Sequence, residues 1–118
     1  MQFYSTNRKT SPVSLREAVV RGLAADRGLF MPEVIRRFPP AFYQNMKEMT
    51  LREISFVVAE AFFGEDVEAG KLKEIVDETL NFDIPLVQVA DNRYSLELFH
   101  GPTLAFKDVA VSYTHLTL

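Results

Sequence analysis

Residues 97–108 read ELFHGPTLAFKD, which is the only concentration of polar side chains in a predicted loop of this 118-residue chain. The Gly101-Pro102 pair predicts an irregular turn directly after a strand. Thr103 then stands where it can cap a new helix that contains Lys107. A lysine in the first turn of a helix feels the positive end of the helix dipole, which disfavours its charged form.

The neighbours of Lys107 are apolar: Leu104, Phe106 and Val109 flank it, and partial desolvation by them is expected to lower its pKa. A lysine with a lowered pKa is what imine formation with a carbonyl cofactor requires. The alternative is an ordinary solvated surface residue, which is the commoner state of a lysine.

The two histidines do not predict a metal site. His100 and His115 lie fifteen positions apart, and no spacing of acidic residues around them resembles a set of metal ligands. Taken alone, His100 fits a turn or packing role. We therefore predict that the chain binds no metal.

Upstream of the loop the apolar pattern is typical of strands. Residues 86–89 predict one strand, residues 91–93 a turn, and residues 94–98 a second strand, which together form a β-hairpin. Shorter strands are predicted at residues 3–4 and 29–31, the latter stopped by a proline.

Three amphipathic helices are predicted in the first 85 residues. Ser14 and Thr50 each precede a glutamate by three positions, as in a capping box, and Asp66 is expected to cap the third helix. We expect the first helix to end at residues 26–28 and the second at Gly64. The apolar residues expected on the three buried faces are Leu15, Ala18, Val19, Gly22 and Leu23; Leu51, Ile54, Val58, Ala61 and Phe62; and Leu72, Ile75, Val76 and Leu80. The predicted fold class is α+β, a helix-rich N-terminal region with short strands and a hairpin.

Composition excludes several classes of protein. The chain contains no cysteine, which removes disulfides and thiol chemistry, and no apolar run approaches the roughly 20 residues that span a membrane. A net charge of −3 argues against a nucleic-acid-binding module. We expect a cytoplasmic protein that binds neither nucleic acid nor membrane, and the sequence does not indicate an oligomeric state.

The run ELFHGPTLAFKD resembles the lysine segment of the threonine synthases, pyridoxal-phosphate (PLP) enzymes of fold type II in the tryptophan synthase beta-like family. The N-terminal part of the chain agrees in order and spacing. The matching segments there are Tyr4-Ser5-Thr6, Val13-Ser14-Leu15 with Ala18, Gly22-Leu23-Ala24 and GLFMPE at residues 28–33. The resemblance implies that the chain is part of an α/β fold type II enzyme.

The same resemblance implies the chemistry. Lys107 is expected to form the Schiff base with PLP and to act as general base and acid in the conversion of O-phospho-L-homoserine and water to L-threonine and phosphate. His100 and Thr103 belong to the motif and are expected near substrate or cofactor, with turn formation and helix capping as the alternative roles. For Asp108 we expect helix-dipole and capping chemistry rather than a catalytic role.

A PLP enzyme also needs a glycine-rich loop for the cofactor phosphate, and here the five glycines stand singly. We therefore expect an incomplete portion that is inactive alone. Its predicted organisation is an N-terminal helical region at 1–85, the hairpin and start of the PLP-binding domain at 86–110, and an atypical tail at 111–118. Two alternatives stay open: a non-catalytic docking module, and a threonine-synthase-like phospholyase that acts on another phosphorylated substrate.

Overall fold

The computed structural model describes residues 1–110, so the tail predicted at 111–118 lies outside the described residues. The chain divides into two compact units, Met1–Val76 and a second that begins at Asp77. The domain limits expected at residues 85 and 110 stay predictions. Helices and strands are mixed, as predicted, and none of the helices in the described part is long and apolar enough to cross a membrane.

A three-stranded antiparallel sheet opens the first unit. Its strands are β1 (Gln2–Ser5), β2 (Val13–Ser14) and β3 (Phe30–Pro32), in the order β2-β1-β3. In the register of the sheet, Phe3 lies opposite Val13 on one side and Pro32 on the other. The short strands predicted at 3–4 and 29–31 are therefore confirmed, with β3 shifted by one residue.

Helix α1 (Leu15–Arg21) follows β2 directly and is shorter than predicted. The Ser14 hydroxyl accepts a hydrogen bond from the backbone N–H of Glu17 at 3.3 Å, which is half of a capping box. The helix ends at Gly22, whose φ of 69° leaves the helical region while its N–H still bonds the carbonyl of Ala18. The prediction that α1 extends to residues 26–28 is wrong, because Gly22 turns the chain away first.

The buried face of α1 is narrower than predicted. Leu15 and Ala18 are buried, whereas Val19 and Leu23 are exposed, contrary to the expectation for a longer helix. Together with Phe3 the two buried residues form the core of the sheet unit. The partly buried side chains that pack against this core are Met1, Val13, Phe30, Phe63 and Val67.

Two further helices follow in the first unit: α2 (Pro40–Asn45), which leads into a 3₁₀ turn, and α3 (Leu51–Phe63). The capping box at the start of α3 is complete, because Thr50 and Glu53 each bond the backbone N–H of the other. The predicted apolar stripe lies on α3, but none of its residues is fully buried. The helix ends before Gly64, as predicted.

Helix α4 (Ala69–Thr79) begins later than predicted. The residue that caps it is Glu68, whose carboxylate accepts hydrogen bonds from the N–H groups of Gly70 and Lys71 at 2.9 and 3.0 Å. The prediction of Asp66 as the cap is wrong, because its carboxylate accepts instead from the Met1 ammonium group at 2.9 Å. Leu72 and Val76 are buried as expected, and Ile75 and Leu80 are partly buried.

The second unit contains the predicted hairpin, formed by β4 (Leu86–Ala90) and β5 (Arg93–Leu96). Arg93, predicted in the turn, pairs with Ala90, and the second strand ends at Leu96 rather than at residue 98. Asp91 and Asn92 make a two-residue turn in which Asn92 takes a positive φ of 56°. Every residue of β4 is exposed, and so is every residue of β5 except Ser95. A short helix, α5 (Lys107–Ala110), ends the described part of the chain.

Candidate functional site

The candidate site is the segment of residues 97–108, which leads from the hairpin into the first turn of α5, and its best-defined group is the carboxylate of Asp108. This residue is only 3% exposed. Its two oxygens accept hydrogen bonds from the backbone N–H and the hydroxyl of Thr103, both at 2.9 Å. The backbone N–H of Asp108 also donates to the carbonyl of Ala105 at 3.1 Å. The side chain and the backbone N–H of Asp108 therefore both form hydrogen bonds that close the loop before Lys107.

Gly101 makes this closure possible. It is buried, and a Cβ placed on it would lie 2.5 Å from the Cβ of Asp108 and 2.6 Å from Oδ2. No side chain fits in that space, because real Cβ atoms do not approach other heavy atoms so closely. The loop is further tightened at Leu104, whose N–H donates to the Gly101 carbonyl and whose φ is 56°.

Lys107 is the first residue of α5 and is exposed. The expectation that apolar neighbours desolvate it is wrong for Leu104 and Phe106, which are 75% and 61% exposed. The buried side of the loop is occupied by Gly101 and Asp108, so these two apolar side chains lie in contact with solvent. The lysine motif is thus a closed loop with a buried carboxylate and an accessible amine beside it.

Thr103 does not cap the helix that contains Lys107, contrary to expectation. The helix begins four residues later, and both polar groups of Thr103 are bonded to Asp108. The same contacts give Asp108 a role that the helix-dipole prediction missed. Neither the spacing of the two residues nor their types predicts a hydrogen-bonded pair between the exposed Thr103 and the buried Asp108, and the clue in the sequence was the preceding glycine.

His100 has a different partner. Its Nε2 lies 2.6 Å from Oε2 of Glu97, and its ring stacks on that of Phe99 with centroids 4.8 Å apart. These two contacts fix the orientation of the imidazole. Within residues 1–109, no described hydrogen bond joins His100 or Thr103 to Lys107. The described residues also contain no group of three potential metal ligands among their His, Asp and Glu side chains.

A second polar cluster lies in the first unit. The Ser5 hydroxyl, which is fully buried, donates to Oδ1 of Asp26 at 2.6 Å. This hydrogen bond is the main cause that lowers the pKa of Asp26, and the hydrogen bonds from the backbone N–H groups of Gly28 and Lys9 lower it further. Sequence reasoning missed the cluster, because its members are about 20 residues apart and lie in turns without periodicity.

Comparisons with known proteins agree on one family. The family model described as "Threonine synthase N terminus" matches residues 2–80. The threonine synthase of Schizosaccharomyces pombe is 36% identical over 119 residues, covering 96% of this chain and 23% of the relative. The threonine synthase of Haemophilus influenzae is 38% identical over 108 residues, covering 92% of this chain and 25% of the relative.

Solved structures give the same result. The threonine synthase of Escherichia coli matches with a TM-score of 0.83 and 33% identity, covering 98% of this chain and 28% of that one. The PLP-bound threonine synthase of Brucella melitensis matches with a TM-score of 0.85 and 32% identity, covering 98% and 27%. The chain spans about a quarter of the length of the curated relatives it matches. From these matches and the lysine motif, the chain belongs to the threonine synthase N-terminus family.

Proposed function

We propose that this chain supplies the lysine-bearing N-terminal portion of a PLP-dependent threonine synthase, which converts O-phospho-L-homoserine and water to L-threonine and phosphate. The observation that carries the proposal is Lys107, an exposed lysine at the start of α5 beside a closed loop, in a chain of this family. The PLP bound to the relative from Brucella melitensis supports the choice of cofactor.

The residues present fit one part of a PLP site. PLP needs an accessible amine, and the exposed Lys107 meets that need. The cofactor phosphate needs a cradle of backbone N–H groups, usually in a glycine-rich loop, and this chain has five glycines that stand singly. We assign the phosphate cradle to the polypeptide that corresponds to the remaining three quarters of the relatives.

Bound PLP supplies an electron sink for carbanion chemistry at the substrate. The Nζ atom of Lys107 would hold the cofactor, and the same amine would serve as general base and acid toward the protons at the α- and β-carbons of the substrate. A lysine suits both tasks, because its amine is nucleophilic when neutral and an acid when protonated.

The two other motif residues receive different roles. The hydroxyl and N–H of Thr103 are both engaged by Asp108, which favours loop closure over contact with substrate. His100 keeps an exposed imidazole whose orientation is set by Glu97 and Phe99. We assign His100 to the vicinity of substrate or cofactor, where an oriented imidazole can bind a phosphate or carboxylate group.

Two candidate activities that differ only in their phosphorylated substrate share these residues. A threonine-synthase-like phospholyase on another phosphorylated amino acid would use the same lysine and the same loop. A panel of phosphorylated amino acids and amino alcohols distinguishes the two activities through the substrate with the highest kcat/KM.

A second candidate function, docking without catalysis, is favoured by the exposure of the hairpin. Leu86, Val89 and Leu96 are each more than half exposed in the second unit. A two-stranded hairpin is marginally stable in water, so such residues call for a covering polypeptide. The feature that separates the two functions is Lys107, which a docking module does not need.

The test is a fusion of residues 1–110 to the part of the E. coli threonine synthase that follows its matching region. We expect phosphate release from O-phospho-L-homoserine, and we expect Lys107→Arg to reduce it at least 1,000-fold. The control is Lys47→Arg, which changes an exposed lysine 3.6 Å from Glu48 and should keep activity within twofold. A folded fusion that is inactive, or equal activity of the two variants, would contradict the proposal.

A further inference from the structure

We infer that Asp108 is a positioning residue: its buried carboxylate fixes the loop of residues 101–108 and thereby the point at which Lys107 leaves the backbone. The fixed loop is a property of this chain by itself. Its use in placing an amine for PLP rests on the function proposed above.

Hydrogen-bond donors pair with the buried carboxylate of Asp108. Asp108 is 3% exposed, and burial of a carboxylate is costly unless donors satisfy it. Here the N–H and the hydroxyl of Thr103 each donate at 2.9 Å, five residues back along the chain. Hydrogen bonds to a charged acceptor are stronger than neutral ones, so this pair is a firm clamp on the loop.

The carboxylate of Asp108 fills the space beside Gly101. Gly101 approaches Asp108 so closely that even one added carbon would meet its Cβ, Cγ and Oδ2 at 2.5 to 2.8 Å. The clamp therefore fixes three points of the loop, Gly101, Thr103 and Asp108. Lys107 is the residue directly before the third point, and its backbone has little freedom once that point is held.

Backbone hydrogen bonds hold the residues on both sides of Lys107. The N–H of Val109 donates to the carbonyl of Phe106 at 3.0 Å, and the N–H of Asp108 to that of Ala105. These bonds enclose Lys107 in the first turn of α5. A four-residue helix has little stability of its own, so its order depends on the side-chain clamp.

The chemistry of the clamp predicts which substitutions preserve it. An asparagine at residue 108 can accept from the Thr103 N–H with its oxygen and donate to the Thr103 hydroxyl with its amide. An alanine can do neither. Asp108→Asn and Asp108→Ala both remove the negative charge next to Lys107, so a difference between them reports the clamp rather than the charge.

The experiment uses the full 118-residue chain and amide hydrogen exchange, read at Thr103 and Val109. We expect Asp108→Ala to accelerate exchange at both amides at least tenfold and Asp108→Asn to change it less than threefold. Gly101→Ala, which keeps the carboxylate but removes its space, should act like Asp108→Ala. The control is Asp91→Ala, an exposed aspartate of the hairpin turn, which should leave both amides unchanged.

The amide of Leu72, which donates to the carbonyl of Glu68 at 2.9 Å, monitors the first unit. Its exchange should be the same in all variants, which separates loss of the clamp from loss of the fold. Equal exchange at Thr103 in Asp108→Ala and the unsubstituted chain would overturn the inference. So would a similar acceleration in Asp108→Asn and Asp108→Ala, because the charge alone would then explain the effect.

A second readout connects the clamp to Lys107. The chain is incubated with PLP and reduced with borohydride, and the label on Lys107 is compared with that on Lys47 by mass spectrometry. We expect Asp108→Ala to lower this ratio at least fivefold and Asp108→Asn to keep it within twofold. If exchange responds and the ratio does not, Asp108 shapes the loop without positioning Lys107. A Lys107-to-Lys47 label ratio near one in the unsubstituted chain would count against the proposed function. The hydrogen-exchange data would still show whether Asp108 fixes the loop.

Discussion

The Ser5 hydroxyl donates a 2.6 Å hydrogen bond to Oδ1 of Asp26, which joins the end of β1 to the turn that precedes β3. The carboxylate also accepts from the N–H groups of Lys9 and Gly28 at 3.0 Å each. One carboxylate can accept about four hydrogen bonds, and the Asp26 carboxylate accepts one each from Ser5, Lys9 and Gly28. This cluster does for the first unit what Asp108 does for the lysine loop.

We predict that the Asp26 cluster makes stability depend on pH in the acid range. The Ser5 hydroxyl is the main cause that lowers the pKa of Asp26 below its usual 3.8, followed by the backbone N–H groups. A carboxyl group whose pKa is lowered by folding stabilises the fold above its unfolded pKa, and this contribution is lost as pH falls through the folded pKa. Ser5→Ala should therefore move the acid loss of stability towards higher pH.

The measurement is urea unfolding between pH 6 and pH 2 for the unsubstituted chain, Ser5→Ala and Asp26→Asn. The destabilisation caused by Asp26→Asn should be largest above pH 4 and should shrink as pH approaches 2. The control Ser11→Ala removes an exposed hydroxyl near β2 and should leave the pH profile unchanged. A destabilisation by Asp26→Asn that is constant over this range would refute the linkage.

Gly28 has a steric role that Gly22 does not share. A Cβ on Gly28 would overlap the Ser5 hydroxyl, whereas a Cβ on Gly22 would meet nothing within 4 Å but would stand at a φ of 69°. We predict that Gly28→Ala costs about 1–3 kcal/mol by overpacking. We predict that Gly22→Ala costs about 1–2 kcal/mol through backbone strain alone.

A double-mutant cycle separates these two causes. In the Ser5→Ala background the hydroxyl is gone, so Gly28→Ala should cost at least about 0.5 kcal/mol less than in the unsubstituted chain. The cost of Gly22→Ala should be the same in both backgrounds. Additive effects of Gly28→Ala and Ser5→Ala in chemical denaturation would contradict the steric account.

The elements that the sequence predicts well are those with a complete local signal. For α3 the apolar spacing, the Thr50-Glu53 pair and Gly64 agree, and both ends of the helix match the structure. The hairpin is similar, because alternation and a turn sequence coincide. Where two local signals compete, as with Asp66 and Glu68 before α4, the sequence does not reveal which carboxylate is drawn to a distant ammonium group.

The assignment of the candidate site to Lys107 rests on the resemblance of the motif and stays a prediction. The geometry of the segment around it was not predicted. The apolar residues around it suggested burial, yet Leu104 and Phe106 are exposed, because in one chain nothing in the sequence records which side of a loop faces solvent. The Thr103-Asp108 pair was missed for a similar reason, since closure of a loop depends on backbone conformation at Gly101 and Leu104.

Helix capping provides a stability prediction with an internal comparison. Thr50→Ala removes the hydroxyl that accepts from the Glu53 N–H at 3.3 Å and donates to Oε2 of Glu53 at 2.8 Å, and it leaves the 2.7 Å bond from the backbone N–H of residue 50 to Glu53 in place. We expect it to lower the free energy of unfolding by about 1 kcal/mol. Ser14→Ala removes a single 3.3 Å bond at α1 and should cost less. Chemical denaturation measures both, and a larger effect for Ser14→Ala would show that the bond from the Thr50 hydroxyl to the Glu53 carboxylate adds no stability.

The exposed hairpin predicts association with a polypeptide that corresponds to the remaining three quarters of a threonine synthase. Leu86 and Leu96 are register partners in the β4–β5 pair and are 64% and 56% exposed. Two leucines side by side on one face, each able to contribute about 1.5–3 kcal/mol on burial, form an apolar patch that favours a covering layer.

The test mixes the 118-residue chain with the separately produced E. coli polypeptide that follows the matching region, and measures binding by calorimetry. We expect a one-to-one complex whose Kd rises at least tenfold when Leu86 and Leu96 are both changed to Gln, because about 1.4 kcal/mol corresponds to a factor of ten. The matched control is Leu23→Gln, an exposed leucine of the first unit, which should leave Kd within twofold. If the double variant binds as tightly as the unsubstituted chain, the hairpin face is not the surface that this polypeptide covers. If the unsubstituted chain forms no complex at concentrations of about 100 μM, the covering layer must be sought in another partner, and the docking assignment fails.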